Sequence, residues 1–308
     1  MSYQLRHGDP LGENLRRICR KQIEGAIAIA KAEKETRDTP VHETRKHLKK
    51  TRAALRLVRE EIGRGLFRGM DHCLRNVARL TSDIRDAEVR LQTARELQGI
   101  TQRNRRGAYR KLEAMLILEL ENFMAAFAEW QTQAVPMLEK ALAETHCWSL
   151  NQFTCKQLRC AVQSSYRSGR KALADAKASP STENFHEFRT RAKTLWYQLR
   201  ILRPINAVVL ETLGDDLRSV SDLLGRAHDL SFLGDRLRDE HGKSEWQREG
   251  RRLLAVIEIN QGDLQRGAAD LAERFYAERP RDFGERIAAW LQEWDEAKPA
   301  SIAEKLVT

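Results

Sequence analysis

Apolar residues recur every three to four positions over most of the chain, and the first such run sets the pattern. Leu15, Ile18, Ile23, Ile27 and Ala30 fall on one face of a helix predicted over about 11–34. Thr39-Pro40 has the form of an N-cap followed by proline at the first helical position, opening a helix over about 40–62 that Gly63 and Gly65 would end. The same periodicity predicts helices over about 66–98 and 105–144, with Pro136 a break or kink. Further helices are expected near 150–177, 182–203, 206–239, 244–275 and 279–296. Ser179-Pro180-Ser181 and Arg203-Pro204 supply boundaries, and the stretch after Lys298 is expected to fray. β-Branched and aromatic runs are too sparse for a sheet, so the expected class is all-α.

The pattern also repeats. Val41-His42-Glu43-Thr44-Arg45 returns 144 residues later as Phe185-His186-Glu187-Phe188-Arg189, and Lys49, Arg56 and Arg59 pair with Lys193, Arg200 and Arg203. Leu74-Arg75-Asn76-Val77 returns at an offset of 143 as Leu217-Arg218-Ser219-Val220, and Leu80 and Asp86 match Leu223 and Asp229. Two blocks in one order and nearly one spacing imply two homologous helical halves, about 1–147 and 148–308.

Within the repeated helix, His42, Arg45, Lys49, Arg52, Arg56 and Arg59 advance by threes and fours, which makes a single seam. The second copy carries His186, Arg189, Lys193, Trp196, Arg200 and Arg203, so only Trp196 departs. An apolar seam runs one position earlier, through Val41, Leu48, Leu55, Val58 and Ile62. Its counterpart contains Phe185, Phe188, Ala192, Leu195, Leu199 and Leu202. The cations therefore lie about 100° from the core seam, on its shoulder.

Charge sharpens this picture. Residues 42–59 hold seven Lys or Arg against Glu43 alone, and 186–203 hold five against Glu187 alone. Those excesses equal the net charge of +10 of all 308 residues. Like charges stacked at helical spacing repel by a few tenths of a kcal/mol per pair, and a merely solvated face would intersperse acids. An anionic partner is expected. The five cysteines include no CxxC and read as reduced thiols of a cytoplasmic protein. No transmembrane run or secretory start is evident.

HETRKHLKKTRAALRLVR (42–59) and HEFRTRAKTLWYQLRILR (186–203) resemble the paired signatures of the CHAD family, the conserved-histidine α-helical domain. TSDIRDAEV (81–89) and LLGRAHDLSFL (223–233) resemble that family's later segment, and SYRSGRKAL (165–173) its Tyr-Arg-rich helix. The resemblance covers nearly the whole chain in order. It implies one domain of two antiparallel bundles related by a pseudo-twofold axis, a basic channel between them, inorganic polyphosphate as ligand and no catalysis. Trp196 replaces the Arg of many members.

Polyphosphate offers regularly spaced anions and no bases, which suits Arg forks and Lys point charges held along a rigid helix. The expected ligand-binding residues are His42, Arg45, Lys49, Arg52, Arg56, His186, Arg189, Lys193 and Arg200. Secondary donors are Arg16, Arg20, Lys46, Lys50, Arg75, Arg167, Arg170 and Arg218. Both histidines are placed in the first turn of their helices, where free N–H groups favour an anion, or else cap it. Asp86 and Asp229 are read as holding neighbouring Arg side chains in place. No cofactor or metal is expected.

Polyphosphate granules are a candidate location. Nucleic-acid backbone binding is the second reading, set behind because no helix-turn-helix, finger or aromatic row is present. A metal-dependent phosphohydrolase lacks its loop or ligand motifs, and Glu33-Lys34-Glu35-Thr36-Arg37 is only a superficial likeness to a triphosphate-cleaving start. A membrane surface ranks last.

Overall fold

The computed structural model describes residues 3–32, 40–100, 106–126, 130–240 and 247–297. Among these are eleven α-helices and no strand: α1 (Leu11–Lys31), α2 (Pro40–Leu57), α3 (Arg64–Arg79), α4 (Ser82–Ile100), α5 (Arg106–Ala126), α6 (Trp130–Glu144), α7 (Cys155–Ala178), α8 (Thr182–Leu202), α9 (Ala207–Glu240), α10 (Gln247–Phe275) and α11 (Pro280–Glu296). Thr39, the 33–37 segment and the chain after Lys298 lie outside the described residues.

Three boundaries differ from the periodicity. The helix opened by Pro40 ends at Leu57 and gives way to turns before Gly63, whose φ of 83° directly precedes α3. The span 66–98 is two helices, because the hydrogen-bond ladder is interrupted at Thr81, whose N–H donates to the Ala78 carbonyl three residues back. Pro136 does not end a helix: α6 continues through it from Trp130 to Glu144. In the second half the starts are closed by side chains. The Thr154 N–H donates to Gln157 Oε1 at 2.9 Å in a capping box, Ser181 Oγ accepts from Asn184 N at 3.1 Å, and Asn206 Oδ1 accepts from Val209 N at 3.2 Å.

The apolar seams of α2 and α8 are buried as their spacing requires: Val41, Leu48, Leu55 and Val58 from one, Phe185, Phe188, Leu195 and Leu199 from the other. Both enter a single core that also takes in α1, α3, α6, α7 and α11. A second core forms where α4 and α5 (Leu91, Leu97, Leu112, Leu116) meet α9 and α10 (Leu233, Leu237, Leu253, Ile257). The halves therefore share their interior, and α2 packs directly on α8. Gln198 Nε2 of α8 donates to the Ala53 carbonyl of α2 at 3.2 Å in the buried contact. Gly169 permits another close approach, since a Cβ there would meet Tyr276 Oη at 2.2 Å. Among the described residues no helix is long and apolar enough to cross a membrane.

Candidate anion-binding site

The seam one step round from the core brings cations of both halves together where α2 meets α8. Lys49 lies in the combined field of Lys193, Arg189, Arg45 and Arg85. Desolvation by the surrounding protein, then repulsion from these four, pushes its ammonium down to about 7. Lys49 nonetheless keeps an exposed surface, which moderates the contribution of burial and leaves the crowding of cations as the firmer cause. Lys193 is shifted down likewise, by burial and then by Arg189. A lysine lowered in this way beside several guanidiniums marks a cluster of like charges, opposed foremost by Asp86 at Arg45 and by Asp229 at Arg189.

The two arginines at its heart are held differently. Arg45 donates through Nη1 to the Ala78 carbonyl at 2.6 Å and to Thr81 Oγ1 at 3.3 Å, at the break between α3 and α4. Arg189 Nε is buried with no hydrogen-bond partner among the described residues. Asp86 acts electrostatically on Arg45 and Asp229 on Arg189. Both carboxyls are raised, by burial first, with the arginines opposing.

His186 packs against His228 with ring centroids 4.7 Å apart. Burial, then Arg189, His186 and Lys49, pushes His228 down to about 4, and burial followed by Arg189 lowers His186. His42 is third in α2, within its first turn, whereas His186 is fifth in α8 and stands in the second turn. The helix-end argument therefore does not carry to His186, because the Ser181 cap starts α8 two residues earlier relative to the repeat.

Other expected donors are engaged elsewhere. Arg52 Nε pairs with Asp71 Oδ1 at 2.8 Å and Arg75 Nη2 with Asp71 Oδ2 at 2.9 Å. Burial opposes ionisation of Asp71, but Arg52, Arg56 and Arg75 hold its carboxyl below the usual range. Arg56 donates to the Arg52 carbonyl at 3.2 Å; burial foremost lowers it to about 10. Arg200 lies over Trp196 (5.1 Å), Tyr3 (5.9 Å) and Tyr197 (6.0 Å), and Lys50 over Tyr3 (5.5 Å). Lys46 pairs with Glu43, Arg20 with Glu24, and Arg218 with Asp222. Arg16 binds Glu13 and the Trp148 carbonyl, Arg170 reaches the Glu278 carbonyl, and Arg167 is exposed on α7. Motif reading passed over Arg85 and His228. The repeat contained the signal, because these two occupy one position, directly before Asp86 and Asp229.

A family model for the CHAD domain matches residues 19–238, from within α1 to near the end of α9. The chain belongs to the CHAD-domain family. Its CHAD fold is similar to the solved structure of PptA from Streptomyces chartreusis, at 15% identity over 88% of this chain and 100% of that one, with a TM-score of 0.65. It is also similar to the CHAD domain from the plant Ricinus communis, at 18% identity over 95% of each chain, TM-score 0.56. At such identities the likeness concerns the fold. No curated protein matches by sequence. The CHAD match spans both cationic helices and the Arg85 and His228 segments. Among the described residues no group of three or more His, Cys, Asp or Glu is placed to hold a metal ion.

Proposed function

We propose that this CHAD protein binds inorganic polyphosphate, without catalysis, along the cationic seams of α2 and α8. The carrying observation is that α2 packs on α8, where Arg45 and Arg85 of one half and Arg189 and Lys193 of the other all act on Lys49. A bound polyanion removes that repulsion, and Arg forks and Lys ammoniums supply charge-assisted bonds at helical intervals. On this reading the seams form the basic channel between two homologous halves, 1–147 and 148–308, and the protein works in the cytoplasm, on polyphosphate chains or granules. Arg52 contributes less than its place in the seam suggests, because Asp71 already neutralises it.

The test is polyphosphate affinity for the wild type and for a variant with Arg45, Lys49, Arg189 and Lys193 replaced by alanine. Loss of about 100-fold or more is expected, given the number of charge-assisted contacts removed. Steep weakening with added salt should accompany it in the wild type. Unchanged affinity in a folded variant would overturn the proposal, and so would displacement of polyphosphate by DNA or RNA at equal phosphate concentration.

A further inference from the structure

Arg56 and Arg200 occupy one position of the repeat, as do Thr194 and Lys50. Around Arg200 the chain fills the adjoining space itself. The Tyr3 ring lies over both Arg200 and Lys50, and its hydroxyl donates to the Lys50 carbonyl at 3.0 Å. The next residues fasten it there, since Leu5 N donates to the Ile201 carbonyl at 3.0 Å. Around Arg56 and Thr194, between α2, α7 and α8, there is instead a cavity of about 400 Å³. That is within the ~300–1,000 Å³ of small-molecule sites.

We propose that this cavity binds a nucleoside phosphate, with the base against Arg56 and the phosphate against Lys156 and Arg191. The Tyr3–Arg200 pair shows what this position of the repeat accepts: a flat ring laid on a guanidinium. Leu57, Phe153 and Ala161 supply an apolar wall for such a ring, and Gln157, Ser164 and Ser165 supply polar atoms for its edge and the sugar. Arg56 feels Asp71 only at a distance and makes no ion pair among the described residues, Asp71 being engaged by Arg52 and Arg75. Lys156 has no acidic partner among the described residues, and Arg191 is held by Glu187 at 2.6 Å. A bare phosphate chain would gain nothing from the apolar wall. It would also meet Glu60 and Glu61 at the lining, which disfavour a long polyanion more than a single phosphate.

Cys160 lines the cavity and is exposed, whereas Cys147 is exposed outside it. The test is the alkylation rate of each cysteine, followed by peptide mass spectrometry, with adenosine monophosphate, ribose 5-phosphate or inorganic tripolyphosphate present. Adenosine monophosphate well above its Kd should slow Cys160 about tenfold, from simple occupancy, and leave Cys147 unchanged. The other two should slow it less than about twofold at the same concentration. Ala161→Phe, which places a ring in the cavity, should abolish binding of adenosine monophosphate in calorimetry and keep polyphosphate affinity. No protection by adenosine monophosphate overturns the inference, and so does equal protection by tripolyphosphate. The four-alanine variant of the α2–α8 seams should retain the protection, so failure of the polyphosphate reading and failure of this one are told apart.

Discussion

In the first half of the repeat Arg52 stands 2.8 Å from Asp71; in the second, Trp196 and Gly214 hold those two positions. One pair is ionic and the other is a large ring beside a residue with no side chain, yet each pair sums to zero charge. Trp196 and Gly214 line one surface pocket, and the ring is flanked by Lys193 at 5.7 Å and Arg200 at 5.1 Å. A second contrast follows the same line. The first half breaks its helix at Thr81, and there the Ala78 carbonyl accepts from Arg45 at 2.6 Å as well as from Thr81 Oγ1 and Ser82 Oγ. In the second half α9 runs through unbroken, Ser221 takes the place of Ala78, and among the described residues neither Ser221 Oγ nor Arg189 Nε finds a partner. Arg45 is thus tied to the backbone through its guanidinium, whereas Arg189 Nε is not.

The largest expected effect breaks the ionic side of this comparison. Asp71 is 7% exposed at the side chain and serves two guanidiniums. Asp71→Asn should therefore cost about 3 kcal/mol in urea unfolding, the usual scale for uncovering buried charge. Its carboxyl is held below the usual range, so the stability it gives is complete above the unfolded pKa and is lost as pH falls through the folded one. A loss under about 0.5 kcal/mol, the range of ordinary surface changes, would show that the pair is incidental.

Transplanting the pair is the next test. A Cβ at Gly214 meets nothing within 4 Å, so an aspartate fits there. Trp196→Arg alone should lose about 1–2 kcal/mol, through lost packing and an unmatched cation. Adding Gly214→Asp should recover at least about half of that, since contacting residues couple by up to ~3 kcal/mol. Purely additive effects would mean that the two positions changed independently.

These contrasts also show which features a sequence displays. The helices and the core seams follow from periodicity and repeat register, because spacing on a helix fixes direction, whereas a basic channel between the two seams is what the CHAD resemblance implies. Which cations are already spent does not follow. Asp71 lies nineteen residues from Arg52 and on a different helix, and the carbonyl that Arg45 uses lies at the break between α3 and α4. A cation's partner is a tertiary fact, and charge counting along one helix treats every cation as equally available. Comparing the two copies position by position would have exposed Asp71/Gly214 and Arg85/His228, since each pairs unlike residues in otherwise matching blocks.

The break at Thr81 separates Arg45 from Arg189 quantitatively. Arg45→Ala removes a charged donor from the Ala78 carbonyl and should cost about 1.5 kcal/mol of stability. Arg189→Ala should cost less than Arg45→Ala, because no hydrogen bond is lost at Nε and what is removed is the field that Arg189 shares with Asp229. If Arg189 is kept for the ligand, it should lower polyphosphate affinity at least as much as Arg45→Ala. Equal stability losses in the two variants would break the division between scaffold arginine and ligand arginine.

The smallest effect concerns Lys49, where the two halves meet. Its pKa is about 7 in the folded protein, below the ordinary lysine value it regains on unfolding. Between those values the unfolded chain holds more protons, so ligand-free stability should rise with pH from about 7 toward 10 through this group. Lys49→Met should remove that slope and should stabilise the ligand-free protein at pH 6, where the wild type carries the repelled charge. Polyphosphate binding should do the reverse to the lysine: the bound anion raises its pKa, so binding above pH 7 takes up a proton and affinity falls as pH increases. Calorimetry at pH 8 in two buffers of different ionisation enthalpy reads this uptake directly. Binding with no proton uptake in the wild type, or uptake that persists in Lys49→Met, would place the titrating group elsewhere and leave the repulsion at the α2–α8 contact without a part in binding.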